Sequence, residues 1–106
     1  MVINATSLGF EKSFAGLSDL CSDKDGNVYL LVGERSQVVV LDKDYNYIKT
    51  VVVTENEEKV NFDGAQGIFV DKNGEIYICD TNNSRIIVTD NDGVLDVLDL
   101  FNISNM

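Results

Sequence analysis

"VDKNGEIYICD", residues 70–80, repeats "SDKDGNVYLLV", residues 22–32, at an offset of 48 that holds without a gap from Phe14 against Phe62 onward. Identities fall at Phe14/Phe62, Gly16/Gly64, Asp23/Asp71, Lys24/Lys72, Gly26/Gly74, Tyr29/Tyr77, Ser36/Ser84, Val40/Val88, Asp42/Asp90 and Asp44/Asp92. Other pairs exchange one aliphatic residue for another, as at Leu20/Ile68, Val28/Ile76 and Val38/Ile86. Self-similarity with a period of roughly 40–50 residues marks stacked supersecondary units or a propeller. The repeated element is either a calcium loop used twice or the turn of a repeated hairpin.

An EF-hand-type loop needs oxygen ligands at its first, third and fifth positions, a sixth-position glycine and a twelfth-position glutamate. With Gly26 sixth, Cys21 is first and Val32 twelfth; with Gly74 sixth, Phe69 is first and Asp80 twelfth. Apolar residues thus stand at ligand positions in both registers. The elements are expected to be hairpin turns, with Asp-Gly and Asn-Gly supplying the positive φ angles of tight connections. Asn91-Asp92-Gly93 reads as a third such turn. No cofactor is expected, calcium being the one metal these loops suggest.

Each repeat divides into four short strands. The expected spans are 19–23, 27–32, 37–42 and 47–53 in the first repeat, and 67–71, 75–80, 85–90 and 94–100 in the second. Val, Ile, Leu and Tyr dominate these runs, Pro is absent, and Gly, Asn and Asp separate them, all of which favours strands. "IYIC" and "QVVVL" are apolar at successive positions. Successive side chains point to opposite faces of a sheet, so these strands must be covered on both sides.

Sheets stacked face to face around an axis meet that demand, and a four-stranded antiparallel meander of this length is a propeller blade. The expectation is therefore an all-β chain, a single segment over 1–106 with one blade at about 14–53 and another at about 62–100. Two blades do not close a ring, since propellers use about four to eight. Each terminal blade would then present an outward apolar face, and monomers rarely expose contiguous apolar patches above roughly 300–600 Å². A homo-oligomer is the expected answer, a trimer giving six blades, or else the remainder of a longer propeller. The segment "VINATSLGFEKS" is expected to complete an outer strand and "FNISNM" to start the next blade, with Phe14 and Phe62 each packing under its own blade.

The composition excludes several functions. The 106-residue chain is 44% hydrophobic and 25% charged, which fits one small domain. A formal charge of −10 would repel a phosphate backbone, so nucleic acid is not an expected partner. No run is long and apolar enough for a membrane span, and "MVINATSLGF" lacks the features of an export signal. Cys21 and Cys79 sit in apolar runs and read as free thiols. Histidine is absent, which removes Ser-His and Cys-His nucleophile pairs and the commonest zinc ligand.

The second repeat carries a more specific pattern. Its string "GIFVDKNGEIYICDTNNSRIIVTDNDG" resembles the NHL repeat, a blade type of six-bladed propellers, through Gly67, Asp71, Gly74, Tyr77, Asp80, Asn83, Arg85, Ile86, Asp90 and Gly93. The first repeat departs from it at Asp19, Val32, Arg35, Gln37 and Tyr45, and Ser84 stands where the family commonly has His. The resemblance implies a non-catalytic interaction scaffold that presents loops to a protein, peptide or glycan. It also implies an alternative, a lactonase- or lyase-like enzyme whose oxygen-ligated metal site is gathered from several blades. RNA binding in this family uses a basic face, against which the acid excess argues. Related bacterial propellers are often exported, which leans the expected setting towards an extracytoplasmic one.

Asp80 and Arg85 flank "TNNS" and should face each other across a hairpin as a structural clamp. Both are replaced together in the first repeat, by Val32 and Gln37, which is how a buried pair is lost cheaply. Asn82 and Asn83 are then expected to be turn residues, of a type that tolerates left-handed backbone. The a–b and c–d turns should lie on one rim, and the b–c and d–a connections on the other. The long connection "TENEEKVNFDGAQ", residues 54–66, makes Glu55, Glu57, Glu58, Asn82 and Asn83 the candidate binding rim.

Overall fold

A computed structural model describes the backbone of residues 16–99 and the side chains of residues 16–95; "VINATSLGFEKS", Phe14, Leu100 and "FNISNM" lie outside this description. Among the described residues ten strands run in chain order: β1 Leu17–Ser22, β2 Val28–Val32, β3 Gln37–Leu41, β4 Tyr47–Val51, β5 Thr54–Glu55, β6 Glu58–Lys59, β7 Ala65–Val70, β8 Ile76–Asp80, β9 Arg85–Thr89 and β10 Leu95–Asp99. They form two four-stranded antiparallel meanders, β1-β2-β3-β4 and β7-β8-β9-β10, with β5 and β6 paired apart from them. The protein is all-β, with propeller-type blades and no α-helix among the described residues.

Strand ends differ from expectation for local reasons. β1 and β7 begin two residues early because pairing resumes beyond a β-bulge, as Leu17 opposite Val32 and Ala65 opposite Asp80. β2 and β8 begin one residue late because the N–H groups of Asn27 and Glu75 donate to side chains of the preceding turns. Segment 54–66 is not a structureless loop: it opens with the β5–β6 hairpin, whose central residues Asn56 and Glu57 have φ of 53° and 68°. Two successive positive φ values are those of a type I′ turn, whose twist matches a two-residue hairpin.

The main core lies between the two sheets. Tyr29, Leu31, Val38, Val40 and Val51 point from the first sheet towards Ile68, Val70, Ile76, Ile78 and Ile87 of the second. Val53, Phe62 and Ala65 of the connection close the same cluster, so Phe62 packs where it was expected to. The first strands of the two sheets, β1 and β7, lie side by side, and the connection bridges the sheets again where Thr54 pairs with Val94. Leu30, Val32, Val39 and Leu41 form a second buried cluster on the far side of the first sheet.

The requirement for cover on both faces is thus met in β2 and β3. It is not met in the second sheet, where Phe69 is 60% exposed and Cys79 is exposed. Only one of the two expected outward apolar faces is therefore open.

Candidate functional site

Four aspartates build one rim. Asp23, Asp42, Asp71 and Asp90 each turn a carboxylate oxygen back on the chain to accept the N–H groups two and four residues ahead. The distances run from 2.8 to 3.1 Å: Asp25 and Asn27, Asp44 and Asn46, Asn73 and Glu75, Asp92 and Val94. The glycine three residues on closes the loop, as Gly26 N donates to Asp23 O at 3.2 Å and Gly74 N to Asp71 O at 3.0 Å. Positive φ falls on that residue alone, at 85° for Gly26, 82° for Gly74 and 81° for Gly93, and not also on the preceding Asp25, Asn73 or Asp92. These are type I turns closed by a left-handed residue rather than the expected turns with two positive φ angles. Tyr45, which replaces the glycine in the first repeat, keeps the same backbone with φ of 68°.

The charge of these groups follows from that geometry. All four carboxyls are held below the ordinary aspartate range. Asp42 and Asp90 owe this chiefly to N–H donors from Asn46 and Val94, while in Asp23 and Asp71 desolvation opposes ionisation and the combined hydrogen bonds outweigh it. Tyr77 Oη donates to Asp71 at 3.0 Å, and that bond raises its own pKa. Tyr29 makes the weaker equivalent contact to Asp23 at 3.5 Å, so the repeated tyrosine braces its own turn. No group of three or more Cys, Asp or Glu side chains suited to a metal ion occurs among the described residues.

Between the two a–b turns lies a groove of about 530 Å³. Its floor is tied by Asn91: Tyr29 Oη donates to Asn91 Oδ1 at 3.2 Å, Asn91 Nδ2 donates to Gly74 O at 3.3 Å, and Lys49 Nζ donates to the Asn91 carbonyl at 2.8 Å. Lys24 and Lys72 stand at corresponding places on its two sides, and Ile48, 48% exposed, supplies an apolar wall. Sequence reasoning missed this groove, although the matching "DKDG" and "DKNG" turns set on one rim were its visible signal. Burial raises the Tyr29 pKa, so its hydroxyl stays a neutral donor at physiological pH.

The opposite rim is built on Asp80, whose side chain is 0% exposed. Its Oδ2 accepts Arg85 Nε at 2.7 Å and Asn83 Nδ2 at 2.9 Å, while its Oδ1 accepts Asp63 N at 2.6 Å. Arg85 continues through Nη2 to the Asn61 carbonyl at 3.0 Å, which fastens the connection to the b–c loop. Asn82 is held to Asp63 through both its backbone and its side chain, at 3.0 Å each. Asn82 and Asn83 lie in the 3-10 turn Thr81–Asn83, and the left-handed residue is Ser84, φ 50°, at its end. Ser36 has the same backbone place after Gly33–Arg35, with φ of 52°.

Val32 lies opposite Gln37 in the register that Asp80 shares with Arg85. The family model described as NHL repeat matches residues 62–89, the segment that holds this ion pair and the second a–b turn. The second blade is thus similar to an NHL repeat through the end of its third strand. No curated protein matches the chain. Within the matched segment, Asp71, Gly74, Tyr77, Asp80, Asn83 and Arg85 hold the turns in place by bonds to one another or to backbone. The remaining candidates, Glu55, Glu57 and Glu58, are exposed on the β5–β6 hairpin.

Proposed function

We propose that the chain is a non-catalytic interaction module that engages a protein or peptide through the groove between its two a–b turns. The groove is the observation that carries this reading. Its volume lies within the roughly 300–1,000 Å³ range of ligand sites, and it joins an apolar wall to lysine donors on a scaffold fixed by the Asn91 bonds. Asp23, Asp25 and Asp71 line the groove together with Lys24, Lys49 and Lys72, so an extended segment bearing both signs of charge and an aliphatic side chain suits this lining, a carboxylate meeting Lys24 and Lys72 and the aliphatic group resting on Ile48. The exposed glutamates of the β5–β6 hairpin give the opposite rim an acidic tip that suits a basic contact on a larger partner.

The acids that an enzyme would draw on support the same reading, because the rim aspartates and Asp80 already accept internal donors. The test is enrichment of a random peptide library on the immobilised chain. Retained sequences should combine both signs of charge with an aliphatic residue, and they should be lost on Ile48→Glu or on Lys24→Ala combined with Lys72→Ala. Retention indifferent to those changes would sink the groove reading. A calcium-dependent rate on a panel of lactones would replace the module by the lactonase-like enzyme.

A further inference from the structure

Asp19 stands where the second repeat has Gly67, a departure that neither rim accounts for. β1 and β7 lie side by side, and Asp19 reaches from the first sheet to the second, its Oδ2 accepting Ile68 N at 3.1 Å. That bond fixes the carboxylate at the edge of a hollow of about 390 Å³, whose lining includes Gly67, Phe69, Tyr77, Cys79 and Ile86 of the second sheet. Asp19 Oδ1 has no hydrogen-bond partner among the described residues, and no Lys or Arg lines the hollow. The Tyr77 ring is held by the bond from its Oη to Asp71 at 3.0 Å. Phe69, 60% exposed, leans on that ring with 5.9 Å between centroids and 47° between planes.

One carboxylate beside two aromatic rings, a thiol and an aliphatic wall selects a particular kind of cation. An aromatic face attracts positive charge within about 6 Å of its centroid. A lysine ammonium would bring three N–H donors and an arginine guanidinium five, yet Asp19 is the one charged acceptor in the lining. Most of those donors would leave water without a replacement, which is costly. A quaternary ammonium has no N–H to satisfy and presents only methyl and methylene groups to rings, sulfur and Ile86. We infer that this hollow is a binding site for a quaternary ammonium group, carried by a small molecule or by a trimethylated lysine, with the cation against Phe69 and Tyr77 and its charge balanced by Asp19. The net charge of −10 draws cations towards the chain from every side. The carboxylate comes from the first repeat and the rings from the second, so the site exists only where the two sheets meet.

The hollow shares no lining residue with the groove between the a–b turns, so the two sites are tested apart. The experiment is titration of the 106-residue chain with choline at fixed ionic strength. It is read by the amide NMR shifts of Gly67, Phe69, Tyr77 and Cys79 and by the reaction rate of Cys79 with an uncharged thiol reagent. Saturable shifts at those residues and a slowed thiol are expected. The uncharged isostere of choline, with carbon in place of nitrogen, should bind about fivefold more weakly. Asp19→Asn, which keeps an oxygen for the Ile68 N–H, should erase that preference, and Phe69→Leu should weaken choline about threefold. Both variants should keep their β circular dichroism, and the isostere comparison on the unaltered chain stands whether or not they do. A trimethyllysine peptide that binds more tightly than choline assigns the group to a protein partner, and one that binds more weakly assigns it to a small molecule. No binding, equal binding of choline and its isostere, or shifts spread over the whole surface would overturn the site.

Discussion

Asp80→Val should destabilise the chain by about 4 kcal/mol, because it removes one partner of an ion pair whose carboxylate is wholly buried. Three donors lose their acceptor at once: Arg85 Nε, Asn83 Nδ2 and Asp63 N. Arg85 is 27% exposed and can turn partly to water, which places the cost in the middle of the range of about 3–5 kcal/mol for breaking such pairs. Arg85→Gln leaves the carboxylate two of its three donors and should cost about 2 kcal/mol. The double variant reproduces the combination found at Val32 and Gln37, where an aliphatic residue faces an amide in the same register. Only the Asp63 N–H and the Asn83 amide then lack an acceptor, for a cost of about 3 kcal/mol against an additive sum of about 6, a coupling of about 3 kcal/mol. Urea unfolding of the four proteins of this cycle measures it, provided the slope with denaturant stays constant. Costs that simply add would refute the reasoning, because they would mean that Asp80 and Arg85 do not stabilise each other.

The rim aspartates predict the acid limb of stability. Their folded pKa values are lowered, so their contribution is complete above the unfolded aspartate value near about 3.9 and is lost as pH falls through the folded values. The urea midpoint should therefore fall on acidification below about pH 4, and less steeply in an Asp42→Asn, Asp90→Asn variant; a midpoint that rises there contradicts the assignment. Gly93→Ala should cost more than Gly74→Ala. Both need positive φ, but an added Cβ at Gly93 strikes the Val52 carbonyl whereas at Gly74 it meets only Asn91 Nδ2 at an ordinary 3.8 Å, giving about 3 against about 1 kcal/mol by thermal unfolding. Ser36→Ala should cost about 1–3 kcal/mol by leaving the buried Phe62 N–H without the Ser36 Oγ that accepts it at 2.8 Å, and Ser84→Ala, at an exposed site, should cost less.

The strand number and the meander order were legible because the repeat supplies its own alignment and the apolar runs are bounded by Asp-x-x-Gly. Phe62 and the Asp80–Arg85 pairing were legible for the same reason, as positions with a counterpart one repeat away. What escaped the sequence depends on backbone detail or on surroundings. The bulges at β1 and β7 have no residue signature, since Ser18 and Gln66 are unremarkable. The β5–β6 turn uses Asn56 and Glu57 without glycine, so the usual hairpin signal is missing. Serine rather than asparagine takes the left-handed position after each 3-10 turn, against residue preference, because the backbone bond from Ser84 N to Thr81 O fixes it there. Burial on the far side of the first sheet and exposure on the second could not be told apart from composition, since "YLLV" and "IYIC" look alike when read as strands.

The self-closing aspartate turns also set an order in time. Each carboxylate finds its backbone donors within four residues, and every pairing within the two large sheets joins strands adjacent in the chain. Hairpins of this kind close in roughly 1–10 μs, and topologies rich in local contacts fold fast. The union of the two sheets is different: it joins groups as distant as Tyr29 and Asn91 and requires both meanders to be in register first. The rate of folding is therefore governed at the seam between the repeats, while each hairpin can form and dissolve many times before that seam closes.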